Sequence, residues 1–314
     1  MPVSNRVRVG VIGVGHLGRH HARILAQLPG VELVGVADIN AERAAEIAEA
    51  FGARAYSNAD ELLGRVDAVT VAVPTEAHLE VARPFLARGT ATLVEKPLAR
   101  SVQEAYAILE AASGSGATLA VGQTERHNPA VAAARPVIAE PRFIEVHRLG
   151  TFPDRSLDID VVFDLMIHDL DIVLSLMPSD VVAIDAVGVP VLTGKVDIAN
   201  VRLRFASGCI VNLTASRISR DRVRKIRFFQ PSTYVSIDYA AQEVEVWRLQ
   251  RAAGGLPSIE GGKLDVPRDE PLKLELADFV EAARLSRPPL VTGADGRRAV
   301  ALAQAITARM QEQL

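Results

Sequence analysis

Cysteine is almost missing from this chain: among 314 residues only Cys209 carries a thiol. An internal disulfide is therefore excluded, and no metal site is expected. Such usage fits a reducing compartment, so a cytoplasmic location is expected. Aromatic residues are equally scarce, at 4% with a single tryptophan, and the formal net charge is only −3. A chain so composed offers neither a stacking platform nor a basic surface, which argues against nucleic acid and anionic membranes as partners. No uninterrupted apolar run is long enough to span a bilayer. The opening stretch MPVSNRVRVGVIGVG places Arg6 and Arg8 before a short apolar run. It lacks the apolar core and cleavage site of a signal peptide and reads as a first strand. Internal repeats and low-complexity tracts are also missing.

What is present is a rhythm. Residues 6–12, 31–37, 67–73, 91–95 and 117–122 read as short apolar strands, with helical patterns between them. One helix follows Asn40 and ends near Gly52, another runs from Thr75 to Gly89, and a third opens on Ser101 and Glu104 with capping-box spacing. Continuous apolar strands alternating with helices predict a doubly wound parallel sheet covered on both faces. After Gly122 the rhythm changes. A helical stretch near 129–138 and a strand at 142–149 precede a helix near 160–177. Strand-like runs follow at 180–189, 196–206, 209–218, 222–229, 232–239 and 242–248, with Ser207-Gly208 as a tight turn. Closely spaced strands of this kind predict a mostly antiparallel open sheet. Residues 252–262 read as a loop, and helices at 272–286 and 295–313 finish the chain. The expected division is an α/β domain over 1–122 and an α+β domain over 123–314.

The first strand leads into Gly13-Val14-Gly15-His16-Leu17-Gly18 and then a helix. Alone the pattern is weak; between a strand and a helix it is the dinucleotide-binding fingerprint of a Rossmann domain. Gly13 permits the tight turn, Gly15 lets backbone approach a pyrophosphate, and Gly18 lets helix and strand pack closely. The whole loop, His16 and Leu17 included, is the expected cofactor contact, with free N–H groups at the helix start facing phosphate. Asp38 ends the second strand, twenty positions after Gly18. A carboxylate there accepts ribose hydroxyls and repels a 2′-phosphate, which favours NAD over NADP. The competing reading is a glycine-rich turn with a surface aspartate. His16, His20 and His21 cluster nearby; ordinary helix packing is expected of them.

Two further stretches carry ionisable groups where they are costly. FDLMIHDLD, residues 163–171, reads as a helix apolar nearly all round. Asp164, His168 and Asp171 share one narrow stripe of it, closing a core network or lining a wet cavity. Asp169 lies off the stripe, and for Asp171 a structural partner is expected. Glu95 and Lys96, in VEKPL, end a parallel strand on the edge where open α/β sheets bind ligands. A lysine beside a nicotinamide stabilises an alkoxide or relays its proton; the alternative is a solvated strand end. Pro74, Thr75 and His78 end the preceding strand on the same edge. Thr75 as a helix cap and His78 against the cofactor, or simply exposed, are the readings there.

The glycine fingerprint, Glu95-Lys96-Pro97, and Asp164-x-x-x-His168 in an IHD-L-D setting together resemble the Gfo/Idh/MocA oxidoreductases over nearly the whole chain. The resemblance implies an enzyme that oxidises or reduces a carbinol carbon of a sugar or cyclitol with a nicotinamide cofactor, NAD here. It implies Lys96, Asp164 and His168 as catalytic residues; Pro74, Thr75, His78 and Glu95, by their place on the ligand-binding edge, are the further cofactor contacts expected. It also implies a cis bond between Lys96 and Pro97, Asn128 of ERHNPA at the border of the active site, and a homodimer or homotetramer.

The substrate end is less explicit. Arg148, Arg155, Asp158 and Asp160 precede the 160–177 helix, and SRISRDRVRKIRFFQP is dense in cations from Arg217 to Arg227. A solvated sheet edge or subunit contact is the plain reading; a grip on a diphosphate is the sharper one. ERHNPAV, PRFIEVHRLG, KVDIANVRLRF and RKIRFFQP resemble the nucleotide-sugar branch of the family. That likeness implies UDP-N-acetylglucosamine, oxidised at C3 to a 3-keto sugar on the way to amide-linked lipid A, with Asn128, Arg148, Arg155 and Arg217 near the substrate beside Lys96, Asp164 and His168. Alternatives are a myo-inositol or free-sugar dehydrogenase and, from another class, a dinucleotide-binding sensor or structural subunit without turnover.

Overall fold

The computed structural model describes residues 6–152, 159–250 and 257–312. By internal packing the chain divides into two units, residues 1–124 with 270–300, and residues 125–269 with 301–314. The helix at 272–286, expected in the second domain, thus groups with the first. Its residues Leu272, Leu276, Phe279 and Val280 fall on one helical stripe and join the core made by Val9, Val11, Leu25 and Leu33.

The first unit is a six-stranded sheet. In chain order it contains β1 (Val7–Ile12), α1 (Gly18–Gln27), β2 (Val31–Ala37), α2 (Ala41–Phe51), β3 (Arg54–Tyr56), β4 (Ala68–Val71), α3 (His78–Leu86), β5 (Ala91–Glu95), α4 (Val102–Ser115) and β6 (Leu119–Gly122). All strands pair in parallel, in the order β3-β2-β1-β4-β5-β6. The order reverses between β1 and β4, which opens a crevice at the carboxyl ends of those strands. Local chemistry sets the helix limits. The Asn40 side chain accepts from the Arg43 amide at 2.9 Å to start α2, and Gly52, at φ +68°, ends it. Ser101 accepts from the Glu104 amide at 3.2 Å, while the Glu104 carboxylate reaches back to the Arg100 amide at 3.1 Å. The expected capping box therefore closes one residue early.

The second unit holds α5 (Pro129–Ala134), β7 (Phe143–Leu149), α6 (Ile167–Leu176), β8 (Val181–Val189), β9 (Ile198–Phe205), β10 (Ile210–Ser216), β11 (Val223–Gln230), β12 (Thr233–Asp238), β13 (Glu243–Gln250) and β14 (Ser258–Lys263). Its eight strands run β14-β13-β12-β11-β7-β10-β9-β8, antiparallel except for β7 with β10. Alternate residues such as Ile144, Val146, Val201, Leu203, Ile226 and Phe228 are buried on one face, as a sheet with one covered side requires. The other face is open, with Val187, Val189, Phe229 and Trp247 exposed. Strand β14 departs from the expected loop at 252–262. Gly261 marks close approach rather than a turn: a Cβ on it, at φ +144°, would stand 1.9 Å from the Val246 carbonyl oxygen. The chain closes with α7 (Pro271–Leu285), in the first unit, and α8 (Gly293–Gln311).

Candidate functional site

The glycine loop leaves β1 as the fingerprint requires. Gly13 has φ +81°, and a side chain there would meet the Ala72 carbonyl at 2.8 Å. Gly18 opens α1 so close to the loop that a Cβ would stand 1.7 Å from the Gly13 carbonyl oxygen. Around Gly15 the nearest atom to such a Cβ is Arg43 Nη1, at 3.9 Å. Two glycines thus close the turn and the third keeps space over it, which suits a pyrophosphate. His16 is exposed and Leu17 half-buried at the helix start. Asp38, at the end of β2, accepts from the Val14 amide through Oδ2 and from the Asn40 amide through Oδ1, both at 2.9 Å. Each oxygen retains a lone pair for a ribose hydroxyl. Asp38→Ser is expected to raise KM for NAD about tenfold and to shrink the preference over NADP comparably, one charge-assisted hydrogen bond being lost. Steady-state kinetics with both cofactors checks it; an unchanged ratio would assign the preference elsewhere.

Lys96 follows the last residue of β5 and is joined to Pro97 by a cis peptide bond, as the resemblance implied. Two buried histidines brace this turn. His21, on the inner face of α1, sets Nε2 3.0 Å from Glu95 Oε1; the distance is that of a hydrogen bond and the angle is not. Glu95 Oε2 accepts from the Lys96 amide at 3.2 Å. The carboxyl lies against Gly122, where a Cβ would come within 2.7 Å of it. On the other side, His78 Nδ1 is 2.9 Å from the Pro97 carbonyl oxygen and Nε2 is 3.0 Å from that of Val73. Burial lowers the pKa of His78, with the carbonyls working partly against it. Its ring is 1% exposed and ties the end of β4 to the turn after β5. Pro74 is exposed, and Thr75 opens a short 3-10 turn over Thr75–Ala77 without any cap from its side chain.

In the second unit the expected helix begins as a wide turn, Val162–Met166, in which the Ile167 amide donates to the Val162 carbonyl five residues back. Such turns recur at functional sites. Asp164 lies in it and His168 in the first turn of α6; both are half-buried. Neighbouring acids fix the helix. Asp169 takes Arg148 Nε and Nη2 at 2.5 and 3.0 Å. Arg148 also reaches Glu125 at 3.3 Å and lies over the Tyr239 ring. Burial works against the Arg148 charge, but Asp169 and Glu125 hold its pKa above the ordinary range. Asp171 pairs with Arg126 at 3.5 Å, the structural partner expected of it.

Three residues expected at the substrate are held by partners within the second unit. Asn128 caps α5: its Oδ1 accepts from the Ala130 amide, and its Nδ2 donates to Glu125 and the Tyr239 carbonyl. Arg148 bolts β7 to α6, as above. Arg217 is 1% exposed and donates to Asp197, Thr193 and the Ile159 carbonyl at 2.8, 3.1 and 2.8 Å. Arg155 and Asp158 lie outside the described residues. Asp160 accepts from the Val196 amide at 3.0 Å.

A family model described as "Oxidoreductase family, NAD-binding Rossmann fold" matches residues 7–123, and the "GFO/IDH/MocA C-terminal domain" matches residues 136–237. The chain belongs to the GFO/IDH/MocA oxidoreductase family. A UDP-N-acetylglucosamine 3-dehydrogenase from Acidithiobacillus ferrooxidans is 40% identical over 95% of each chain. A solved structure of the enzyme of that name and organism superposes with a TM-score of 0.91 over 98% of each chain, at 38% identity. A scyllo-inositol 2-dehydrogenase (NAD(+)) from Bacillus subtilis is 27% identical over 93% of this chain and 91% of its own. As a GFO/IDH/MocA member the protein is an NAD-dependent oxidoreductase acting on CH–OH groups. Among the described residues no group of three histidine, cysteine or acidic side chains could hold a metal ion. No described helix is long and apolar enough to cross a membrane.

The sequence reading expected only helix packing of His21, passed over Glu125, and gave Asp169 and Asp197 no role. The signal for His21 was its place beside Ala22 and Leu25 on the apolar face of α1. A histidine on a core-facing stripe needs a polar partner, and Glu95 is the carboxylate that ends a strand of the sheet beneath it.

Proposed function

We propose that this protein oxidises the C3 hydroxyl of UDP-N-acetylglucosamine, producing NADH and the 3-keto sugar nucleotide. The observation that carries the reading is the 40% identity to a UDP-N-acetylglucosamine 3-dehydrogenase over 95% of both chains. Against it stand inositol dehydrogenases at 34% identity over only 56% of this chain, or 27% over 93%. When bound, NAD accepts the hydride from the carbinol carbon. The hydroxyl proton must leave in the same event, and the His168 imidazole, a side chain that can take up a proton at neutral pH, suits its capture. Asp164, one turn earlier, orients that ring or a neighbouring hydroxyl, and Lys96 stabilises the oxygen as negative charge grows on it. A 3-keto sugar is a natural substrate for an aminotransferase, which fits use in amide-linked lipid A. The exposed valines, Phe229 and Trp247 on the open face of the β8–β14 sheet suit cover by a second copy in a homodimer or homotetramer.

The test is a substrate panel. Purified protein with NAD is expected to raise absorbance from NADH with UDP-N-acetylglucosamine and not with myo-inositol, glucose or free N-acetylglucosamine. Turnover of myo-inositol without turnover of any UDP-sugar would replace the reading with the inositol one. Tight NAD binding with no turnover on a broad panel would favour a sensor.

A further inference from the structure

The cation-rich run between Arg217 and Arg227 is divided by strand geometry. Arg217 is buried against Asp197. Lys225 and Arg227 lie on the open face of β11, where Asp238 and Glu145 neutralise them at 3.2 and 2.6 Å. Arg222 donates to the Thr151 hydroxyl at 3.2 Å. Arg220 is exposed and precedes the strand, whereas Arg224 lies within it. It lies on the same face of β11 as Ile226 and Phe228, both wholly buried, because side chains two apart share a face. That is the face covered by α6, since the residue directly across from Arg224 in β7 is Arg148, and Arg148 holds Asp169 of α6.

Like charges directly opposite on adjacent strands destabilise a sheet. Here one of the two is compensated and the other is not. Asp169 uses both oxygens on Arg148, and Glu125 divides its own between Arg148 and Asn128. Among the described residues no hydrogen bond or ion pair engages the Arg224 guanidinium, which is exposed. Partial desolvation, then the nearby Arg148 charge, lowers its pKa from the ordinary value, against the pull of Glu125 and Asp169. A planar fork of unengaged donors, kept where it costs stability, is suited to the paired oxygens of a phosphate. It lies across one strand pair from the arginine that seats Asp169, the residue after His168.

We infer that Arg224 binds the diphosphate of the sugar nucleotide and so sets selectivity for a nucleotide-linked sugar over a free one. The inference rests on the substrate class proposed above. Arg224→Met and Arg224→Lys in the full chain test it, with UDP-N-acetylglucosamine as substrate and UDP as inhibitor. The methionine variant is expected to raise KM for the sugar nucleotide and the inhibition constant of UDP together, by about 10–100-fold for a lost charge-assisted contact. Its kcat and KM for NAD stay near the original values, and lysine recovers part of the loss. Unchanged KM and UDP inhibition overturn the inference, as does a variant in which kcat and NAD affinity fall together and lysine is no better than methionine. Wild-type protein that neither turns over a UDP-sugar nor binds UDP refutes the substrate class itself, which separates the two failures.

Discussion

Lys96→Met is expected to lower kcat by about 10²–10⁴-fold, the range for losing a group that stabilises or transfers charge in the transition state. NAD affinity should change by less than about threefold. The expectation follows from how the turn is built. The backbone at Lys96 is positioned by the Glu95 carboxylate beneath its amide and by His78 across the Pro97 and Val73 carbonyls. None of these contacts uses the ammonium group. Methionine keeps the length of the side chain and removes the charge, so the turn should survive while its chemistry does not. NAD binding followed by fluorescence, beside single-turnover NADH formation, separates the effects. A parallel loss of NAD affinity would make the lysine a structural or cofactor residue, and retention of kcat within tenfold would leave His168 as the principal catalytic group. His168→Ala distinguishes the two residues further: it should flatten the acidic limb of the rate–pH profile, which Lys96→Met should leave in place.

The periodic features of this protein were readable from its residues, and the paired ones mostly were not. Alternation of apolar strands and helices led to the parallel sheet, and the three glycines led to the cofactor loop, because backbone conformation is dictated locally. The partners of Arg148, Asn128 and Arg217 are not announced by their residue types, since a polar side chain serves a ligand or the core with the same atoms. Only the partner decides. For Arg217 the partner was within reach of inference. A hairpin folded about Ser207 and Gly208 sets position 217 across from 197, and the Arg217 amide does donate to the Asp197 carbonyl at 3.0 Å. For Arg148 it was not, because Asp169 arrives from a helix on another layer. The grouping of residues 270–300 with the first unit was hidden for a similar reason. An amphipathic stripe announces a helix and says nothing of which core receives it. Gly261 and Gly262 misled in the opposite sense: glycine signals a turn more often than a strand, yet Gly261 sits where the Val246 backbone leaves no room for a side chain.

Asp197→Ala is expected to destabilise the second unit by about 3–5 kcal/mol, the cost of stranding a buried charge. Asp197 is wholly buried. Its Oδ2 accepts from the Val191, Leu192 and Thr193 amides at 2.8, 2.7 and 2.9 Å, and its Oδ1 takes the Thr193 hydroxyl and Arg217 Nε at 2.7 and 2.8 Å. One carboxylate thus holds the loop after β8 and neutralises a fully buried guanidinium. Desolvation alone would raise its pKa, but these donors outweigh it and hold the group far below the usual carboxylate range. The unfolded chain takes up a proton near pH ~3.9 where the folded chain does not. This contribution is therefore complete above that pH and is lost as pH falls toward the folded value. Asp197→Ala should show a lower denaturation midpoint at neutral pH and a shallower loss of stability below about pH 4. Trp247, the chain's single tryptophan, lies in β13 of the same unit, so its fluorescence reports the relevant transition. Asp197→Leu with Arg217→Met removes both charges and should regain part of the loss, since a buried ion pair is often replaceable by apolar packing while half of one is not. A single variant within about 1 kcal/mol of wild type, the range of an exposed pair, or a double variant no better than the single, would show that the loop and not the ion pair carries the stability.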